Sequence, residues 1–575
     1  MAASKTEESA AGARAEIDLR APFTRDTLLE VRSGELKPLG GLDVLSGIDK
    51  SILEGPVHIG LNGIDGDEHD YTFHGGPEKA ILGYCSSHYP DLKEEYPTAA
   101  ASFIPGGFGE NFVTAHMNER NVCLGDVVAV GDDNDDDDKC VLLEVCLPRQ
   151  PCFKLNLRFE LKNFAATTWK TSRTGWYYRV LREGTVKAGD TIRLVSRPHP
   201  EWTVERVQEY LHRNKDDVAM NEQLASLAVL GVESRKEFQR RVARQKAKER
   251  KAREPPPRWR DFRVVERKRE TPRIMSFTLE AAEPLADAED IKLESGSHAK
   301  IKLGNGLVRA YSIVGGDRNR FTLGIALADA DKSRGGSRYM HDVAQVGHVL
   351  QVGAMTAGIP IPPAASHHVF VAGGIGLTAF LPLMEHMKRI NYSIELHYAV
   401  RSEAEVPFRE RLRELGEDSS NGSVSVVIYD RAAGQRLDIP AILAGSKWNS
   451  SFYFCGPRRL MDEAARETKA RCIPDSEAHF EAFEADISGD PFEAVVANKG
   501  GKVLKVGGEE TLLEVLQKHF DDVDSSCAVG NCGTCKIGLK EGRVEHRGTA
   551  LSQSEKMTSM LACVSRGIGR ITVEI

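Results

Sequence analysis

The spacing of apolar and polar residues changes several times along the chain and predicts a series of domains. Over residues 16–200, short β-branched and apolar runs alternate with glycine-rich turns, which indicates a mostly β, barrel-like domain. Residues 201–258 show helical spacing instead, with Thr203 as an N-cap, a second helix over 218–230 and a basic helix that ends before the prolines at 255–257. We interpret this segment as a helical appendage followed by a semi-rigid linker.

Strand-like runs return over residues 259–365 and predict a small antiparallel barrel. From 366 to 485 strands and helices alternate, which indicates an α/β domain with a parallel sheet, because parallel neighbours are joined through helical crossovers. Residues 486–575 combine a helix at 512–516 with a closing strand at 570–575, as an α+β domain would. The expected fold is therefore multidomain, and residues 1–15, which are small and polar, are expected to form a disordered tail.

Composition and charge narrow the class of protein. The chain has 575 residues, of which 41% are hydrophobic and 28% charged, so large cores can form. Its net charge of -8 argues against nucleic acid as a partner. No apolar run reaches about 18 residues, so no membrane span is expected. Cysteines outside the C-terminal group are scattered, which suits a reducing, cytoplasmic compartment.

Two charged runs are better explained as solvated surface than as binding sites. The acidic run at 132–138 is short and lies between two predicted strands, so a hairpin loop is favoured over a metal site. The basic run at 236–253 has too few apolar residues for an amphipathic anchor. A solvated helix is therefore favoured there over membrane or nucleic-acid contact.

The most specific pattern in the chain is a group of cysteines near its C-terminus. Cys527, Cys532 and Cys535 follow the spacing C-x4-C-x2-C, and Cys563 lies further on, which is the plant-type ferredoxin pattern for a 2Fe–2S cluster. Gly530 and Gly533 would let the loop turn tightly around the cluster. A structural zinc site, a disulfide and buried structural cysteines are weaker alternatives, because Cys563 stands alone and no secretory feature is present.

A flavin site is indicated within the second barrel. The run Arg309, Tyr311, Ser312 is a weak signal by itself, and an ordinary strand would explain it. The turn Gly335, Gly336, Ser337 strengthens it, because a glycine turn that feeds a helix offers free N–H groups to a phosphate. The order of the two motifs resembles the ferredoxin reductase superfamily. That resemblance implies that the first run contacts the flavin and that the turn holds its phosphate.

The α/β domain carries a candidate nicotinamide site. Its first strand is followed by Gly373, Gly374, Gly376 and Thr378, where a pyrophosphate could approach the backbone, although a structural turn is the simpler explanation for the glycines alone. This loop and a later turn resemble those of ferredoxin reductases, in which the cysteine of the later turn lies near the nicotinamide. Arg401 could meet the adenosine ribose, and the choice between NADH and NADPH stays open. The later turn consists of Cys455, Gly456 and Pro457.

The order of flavin, nicotinamide and 2Fe–2S modules over residues 260–575 resembles phthalate dioxygenase reductase. That family implies FMN rather than FAD, usually NADH, and a β-grasp ferredoxin domain. The segment 479–483, which ends at Phe483, matches the segment that caps the flavin in that family.

Polar clusters occur in the first domain where a plain β-barrel has no need of them, at 65–67, 74–80, 108–112 and 149–156. Together they resemble the MOSC family, and most closely its stand-alone bacterial members that reduce N-hydroxylated bases. The resemblance implies a molybdenum–pterin cofactor with Cys152 as the catalytic thiolate ligand of the metal. A buried structural role for Cys152 is the alternative. The cofactor contacts expected beside it are His74, Lys79, Asn111, Arg149 and Lys154.

Elementary chemistry agrees with that assignment. A soft thiolate suits a high-valent oxo metal, and the cationic Arg149 and Lys154 beside Cys152 would favour its ionised form. The same two cations could help to neutralise a pterin phosphate.

The number of electrons that each cofactor transfers indicates the order in which the modules act. A hydride from NAD(P)H carries two electrons and a 2Fe–2S cluster accepts one, so a flavin must stand between them. The attached MOSC domain predicts a self-sufficient molybdenum-dependent oxidoreductase that reduces N-hydroxylated small molecules and needs no protein partner for its electrons. Two alternatives remain: a reductase for a separate oxygenase, with the MOSC domain as a cofactor or sulfur carrier, and a non-enzymatic pterin-binding or scaffold module.

Overall fold

The structure is a computed structural model, and the described residues group into two compact units. Unit 1 contains Met1–Lys37, Ser46–Pro151 and Phe164–Gln239, whereas unit 2 contains Pro38–Leu45, Cys152–Asn163 and Arg240–Ile575. The described residues are 18–42, 44–70, 74–132, 139–253, 259–285, 293–329, 335–356, 358, 361–362, 364–417, 424–483, 487–520, 523–552 and 554–575.

The predicted β-barrel of unit 1 is confirmed. Its sheet closes because the strand Thr191–Ser196, at one end of the strand order, also pairs antiparallel with Arg25–Ser33, the last strand but one. Leu28 and Val31 are both fully buried in the core, and the register shift between Leu28 and Glu30 lets residues three positions apart share the inner face. In order around the sheet, the strands are Thr191–Ser196, Val127–Gly131, Val141–Pro148, Trp176–Arg182, Ile81–Cys85, Phe112–Thr114, Arg25–Ser33 and Ser51–Ile52.

Smaller elements complete unit 1. A separate sheet joins Gly184–Val186, Val57–Gly60 and Gly63–Ile64. The short strands Lys37–Pro38 and Leu45–Ser46, which stand at the two ends of the unit 2 segment Pro38–Leu45, pair with each other. The helices and single turns are Pro77–Lys79, His88–Glu95, Pro97–Ser102, Phe164–Lys170, Val204–Gln208, Glu209–Arg213, Val218–Ser226 and Val232–Arg253, the last of which continues into unit 2.

The helix signals of the appendage are largely confirmed. The Thr203 hydroxyl accepts the backbone N–H of Arg206 at 3.1 Å, so Thr203 is an N-cap as predicted. The second helix ends at Ser226 rather than at 230, because Leu227 takes an extended backbone. Lys79 is the last residue of the 3₁₀ turn Pro77–Lys79.

The second barrel, in unit 2, is also confirmed as closed and antiparallel. Buried Phe262, Phe277 and Phe321 fill its interior. A short helix, Gly336–Asp342, follows the glycine turn. The strands around the barrel are Arg260–Arg269, Ile274–Ala281, Arg320–Ala326, Val308–Gly316, His298–Lys302 and Val349–Thr356.

The α/β part of unit 2 contains the predicted parallel sheet. The strand His367–Gly373 lies in the middle and is buried throughout, as expected for a parallel strand covered on both faces. The strand order is Val424–Asp430, Ser393–Val400, His367–Gly373, Ser450–Cys455 and Ala478–Phe480. The helices and turns are Gly374–Gly376, Leu377–Arg389, Glu403–Glu405, Arg409–Gly416, Ile439–Ala444 and Arg458–Ala470.

The C-terminal part of unit 2 is a mixed sheet that packs against one helix, Leu512–His519, among the residues described. A capping box starts this helix, because Thr511 and Glu514 each accept a backbone N–H from the other. The sheet order is Lys502–Val506, Phe492–Val496, Arg566–Glu574, Lys536–Glu545 and Ser559–Leu561, with further 3₁₀ turns at Ala497–Lys499 and Glu555–Met557.

Some predictions fall outside the described residues: the tail at 1–15, positions 133–138 of the acidic run and the prolines at 255–257. The domain boundaries given above stay predictions. Within the described part of the chain, no helix has the length and apolar character needed to cross a membrane.

Candidate functional site

The loop that carries the C-terminal cysteines has the backbone that its sequence predicts. Gly530 and Gly533 both take positive φ, of +84° and +73°. Backbone N–H groups of Val529 and Asn531 point at the Cys527 sulfur at 3.5 and 3.4 Å. Such N–H···S contacts stabilise thiolates, so the loop is built to hold negatively charged sulfur.

The four thiols of the C-terminal group come together in pairs. Cys527 is hydrogen-bonded to Cys532, and Cys535 to Cys563, and these contacts lower the pKa of Cys532 and of Cys535. Among the four, Cys532 is half-buried and the others are buried. A 2Fe–2S cluster takes two thiolates on each iron, so paired thiols match its needs. No set of three or more His, Cys, Asp or Glu side chains in the described ranges is arranged to hold a single metal ion.

The two flavin motifs meet at one cavity of about 640 Å³ in unit 2. Arg309 lies against the glycine turn, since a Cβ atom on Gly336 would be 2.8 Å from the Arg309 Cγ. The Tyr311 hydroxyl is buried and has no hydrogen-bond partner among the described residues, and burial raises the pKa of Tyr311 to about 12. An unpartnered buried hydroxyl beside a cavity is what a ligand site requires. Predicted residues that line this cavity are Arg309, Tyr311, Ser312, Gly336, Ser337, Thr378 and Phe483.

The nicotinamide loop and the later turn interlock through their glycines. A Cβ on Gly373 would lie 2.8 Å from the Pro457 Cδ, and a Cβ on Gly456 would lie 3.1 Å from the Gly373 nitrogen. A Cβ on Gly376 would collide with the Cys455 carbonyl. The two predicted motifs are therefore adjacent, and both need glycine because their backbones touch.

Other predicted residues of this part differ in their surroundings. Gly374 takes a positive φ of 53° at the start of the 3₁₀ turn, and Gly335 one of 81° before its helix. Cys455 is fully buried, and burial raises its pKa. Arg401 is exposed and lies 3.7 Å from Asp329.

The sequence reasoning missed two side chains at the flavin cavity. His298 and Glu481 line it, and they also line a second cavity of about 840 Å³ that reaches Cys532. Burial raises the pKa of Glu481 to about 7, and a hydrogen bond from Asn531 opposes this shift. Glu481 lies inside the segment that matches the flavin cap, so the motif contained the signal. His298 sits on a plain strand that carries no such signal.

The predicted cofactor contacts of unit 1 are partly engaged within the protein. The Asn111 amide accepts the N–H of Leu82 at 3.0 Å and donates to Asp67 at 2.8 Å. Lys79 forms an ion pair with Glu233. The backbone N–H of His74 donates to the Asp70 carbonyl at 2.9 Å.

Arg149 is the clearest binding candidate in unit 1. Its guanidinium is buried and lies 6.0 Å from the centre of the Phe108 ring. Its Nη1 atom has no hydrogen-bond partner among the described residues. A buried guanidinium nitrogen without a partner is costly, so an anion would satisfy it.

The segment Cys152–Asn163 belongs to unit 2. Cys152 is half-buried and directly precedes the helix Phe153–Phe159. Lys154 is buried, and its ammonium group donates to the Leu45 carbonyl at 2.9 Å. The Phe153 ring stacks on Tyr392 of the parallel-sheet domain at 4.7 Å. The Asn156 amide donates to the Ala364 carbonyl at 2.8 Å.

Three parts of the chain match known domain families. The MOSC domain family matches residues 70–193, the YiiM-like 3-alpha helix domain matches 202–245, and the 2Fe-2S iron-sulfur cluster binding domain matches 495–566. With the fold and cavities described above, these matches define a MOSC domain fused to a reductase. The chain is an oxidoreductase with NAD(P)H, flavin and 2Fe–2S features.

Individual proteins are similar to longer stretches of the chain than these domain families. A reductase of Gibberella moniliformis is 36% identical over 95% of both chains, so the chain belongs to that protein's family. The heme-dependent oxidative N-demethylase beta subunit of Ectopseudomonas mendocina is 33% identical over 54% of this chain and 96% of its own. The solved phthalate dioxygenase reductase is 27% identical over 55% of this chain and 98% of its own, with a TM-score of 0.42.

Proposed function

We propose that the chain is a self-sufficient reductase that moves electrons from NAD(P)H to a molybdenum–pterin site in its own MOSC domain and reduces N-hydroxylated small molecules. For a hydroxylamine the balanced reaction is R–NHOH + NAD(P)H + H⁺ → R–NH₂ + H₂O + NAD(P)⁺. The hydride supplies two electrons and one proton, and solvent supplies the second proton. The N–O bond breaks and its oxygen leaves as water.

The observation that carries the proposal is the position of the Cys152 segment. Cys152–Asn163 lies in the same compact unit as the flavin barrel, the nicotinamide domain and the ferredoxin domain. Phe153 and Leu157 pack with Leu42 and Val44 in a small apolar cluster that includes Tyr392. The packing of this thiol-bearing segment against the reductase supports an acceptor that is part of the chain, and covalent attachment would keep donor and acceptor at high effective concentration.

The residues present suit a molybdenum–pterin. Cys152 offers a half-buried thiol, and the buried Arg149 Nη1 is ready to bind an anionic group. When bound, the metal would supply two-electron oxygen-atom removal. Cys152 would be its thiolate ligand, as the resemblance to the MOSC family implies.

The residues at the cavity of about 640 Å³ suit a flavin such as FMN. The Tyr311 hydroxyl is available to hydrogen-bond the ring system, and Arg309 beside the Gly336 turn can bind the phosphate. The glycine loop at 373–376 would let the pyrophosphate of NADH or NADPH approach its backbone. The flavin would convert a hydride into single electrons for the cluster.

A second function, electron supply to a separate oxygenase, is favoured by one observation. Residues equivalent to nearly the whole N-demethylase beta subunit are present in this chain. In that case the MOSC domain would carry cofactor or sulfur and would accept no electrons.

A Cys152→Ser variant separates the two functions. We expect the wild type to contain about one molybdenum and two irons per chain and to oxidise NADH in the presence of hydroxylamines. The variant should reduce ferricyanide at the wild-type rate but lose at least about 100-fold in hydroxylamine reduction, as removal of a catalytic thiolate ligand would. Cys472→Ser, at an exposed cysteine, is the matched control and should change neither rate. Survival of hydroxylamine reduction in Cys152→Ser would rule out the built-in acceptor.

A further inference from the structure

The peptide just before the first cluster cysteine is bound to the flavin barrel. The Ser526 hydroxyl lies 3.1 Å from His298 Nε2 and 2.6 Å from the Thr356 hydroxyl. Lys300 donates to both the carbonyl and the hydroxyl of Ser525 at 2.8 Å. Ser526 and His298 are buried, so these contacts are shielded from water. The residue that follows Ser526 is the cluster ligand Cys527.

A second contact holds the other side of the same loop. The Asn531 side chain donates to the Ala482 carbonyl at 2.9 Å, and Ala482 belongs to the segment that lines the flavin cavity. Between these two attachments, Cys527 and Val529 form part of the wall of that cavity. The cluster loop is therefore fixed to the flavin barrel at one end and to the last segment of the nicotinamide domain at the other.

We propose that Thr356, His298 and Asn531 are positioning residues that hold the cluster loop at the wall of the flavin cavity and so set the rate at which electrons pass from flavin to cluster. This inference rests on the proposed function. In each transfer the flavin would lose one electron and the cluster would gain one. Two transfers would therefore pass on both electrons of the hydride that one NAD(P)H delivers. None of these side chains needs to touch a reacting atom.

Thr356 gives the cleanest test. Its hydroxyl bonds Ser526, yet among the described residues it lines neither of the two cavities, so a change there does not alter a flavin contact. Thr356→Val removes the hydroxyl at nearly constant volume, and Thr356→Ser restores it. The matched control is Thr278→Val, which removes a hydroxyl that bonds Thr322 at 3.1 Å in the same barrel and lies outside the described lining of both cavities.

The experiment follows the full-length holoenzyme in a stopped-flow instrument after mixing with NADH. We expect flavin reduction, and steady-state ferricyanide reduction, to stay within about twofold in Thr356→Val. Asn531→Ala is compared by cluster reduction and hydrogen exchange alone, because the Asn531 side chain also bonds Glu481 at the flavin cavity. Cluster reduction and cytochrome c reduction should slow by about tenfold or more, since a misplacement of about 1 Å can cost about 100-fold in rate. Thr356→Ser should recover most of the loss, and Thr278→Val should behave as the wild type.

A readout that needs no turnover accompanies the kinetics. Backbone hydrogen exchange over residues 523–531 should quicken in Thr356→Val and Asn531→Ala, whereas the electron paramagnetic resonance spectrum of the dithionite-reduced cluster should be unchanged in Thr356→Val. Wild-type cluster reduction and exchange in both variants would overturn the positioning role. Absence of NADH-driven flavin reduction in the wild type would instead defeat the proposed function, and the exchange measurement would still decide the positioning role.

Discussion

At the scale of single residues, the glycines of the nicotinamide loop combine backbone freedom with close contact. Gly376 has an ordinary helical backbone, with φ of -56°, so its need for glycine is purely steric. Any side chain there would collide with the Cys455 carbonyl, which belongs to a turn some distance away in sequence. Gly434 is the opposite case, with φ of +82° and open space around its Cα.

Alanine should lower the stability of the protein more at Gly376 than at Gly434. Gly376→Ala should destabilise the fold by about 2–3 kcal/mol, because backbone must shift to admit the methyl group, and should raise the KM for NADH. Gly434→Ala should cost only about 1 kcal/mol, from its left-handed backbone, and leave the KM unchanged. Urea unfolding and steady-state kinetics with ferricyanide measure both effects. Equal costs in the two variants would contradict the steric explanation.

Sequence could predict which residues form the motifs but not how they meet. The spacing of Cys527, Cys532 and Cys535 is local, and it predicted the positive φ at Gly530 that the structure has. The contact between Gly373 and Pro457 joins positions that no local pattern relates. The same holds for His298, whose partner Ser526 lies in another domain. Residues whose role depends on long-range packing are those that the sequence could not single out.

At the scale of elements, neighbouring parallel strands share a half-buried charged group. Glu395, on Ser393–Val400, lies 3.3 Å from His367 of the central strand and 2.9 Å from His397 of its own strand. Hydrogen bonds from His367 and then His397 hold the pKa of Glu395 well below its usual range. The carboxylate therefore ties the two strands together while it is ionised.

The lowered pKa of Glu395 should make the stability of the fold depend on pH. A carboxyl group with a lowered pKa in the folded state contributes stability above its unfolded pKa of about 4.3 and loses it as the pH falls. Wild type should therefore lose more stability between pH 7 and pH 3 than Glu395→Gln does. Urea midpoints at several pH values test this, with the exposed Glu410→Gln as control. An equal loss of stability in the wild type and in Glu395→Gln would show that the contacts of Glu395 with His367 and His397 do not cause the pH dependence.

The elements themselves could be predicted well because their signals are short-range. Thr203 caps its helix through the residue three positions later, as predicted, and the short β-branched and apolar runs located the sheets. The end of the second appendage helix was misplaced, since Leu227 has no side-chain feature that stops a helix and its extended backbone is set by packing.

At the scale of the whole molecule, the packing of the Cys152 segment within unit 2 is the feature on which the proposed activity depends. Tyr392 stacks on Phe153 and also meets His368 edge-on at 4.9 Å. Tyr392→Ala should leave ferricyanide reduction near wild type and lower hydroxylamine reduction by about tenfold, since loosened packing misplaces the acceptor.

Tyr429→Ala is the control for this variant. Tyr429 lies in the same parallel sheet, is hydrogen-bonded to His397 at 2.8 Å, and should change neither rate. Equal hydroxylamine reduction in Tyr392→Ala and wild type would mean that the Cys152 segment works independently of its packing on this sheet.

The interlocked glycine turns also constrain how the chain matures during synthesis. Pro457 forms one wall of the nicotinamide loop at 373–376. A nascent chain therefore cannot complete this loop until Pro457 has left the ribosome. Contacts of such long sequence separation form late. Dinucleotide binding should therefore appear only after the fourth parallel strand of the chain has been synthesised, and ribosome-bound intermediates of increasing length would reveal that threshold.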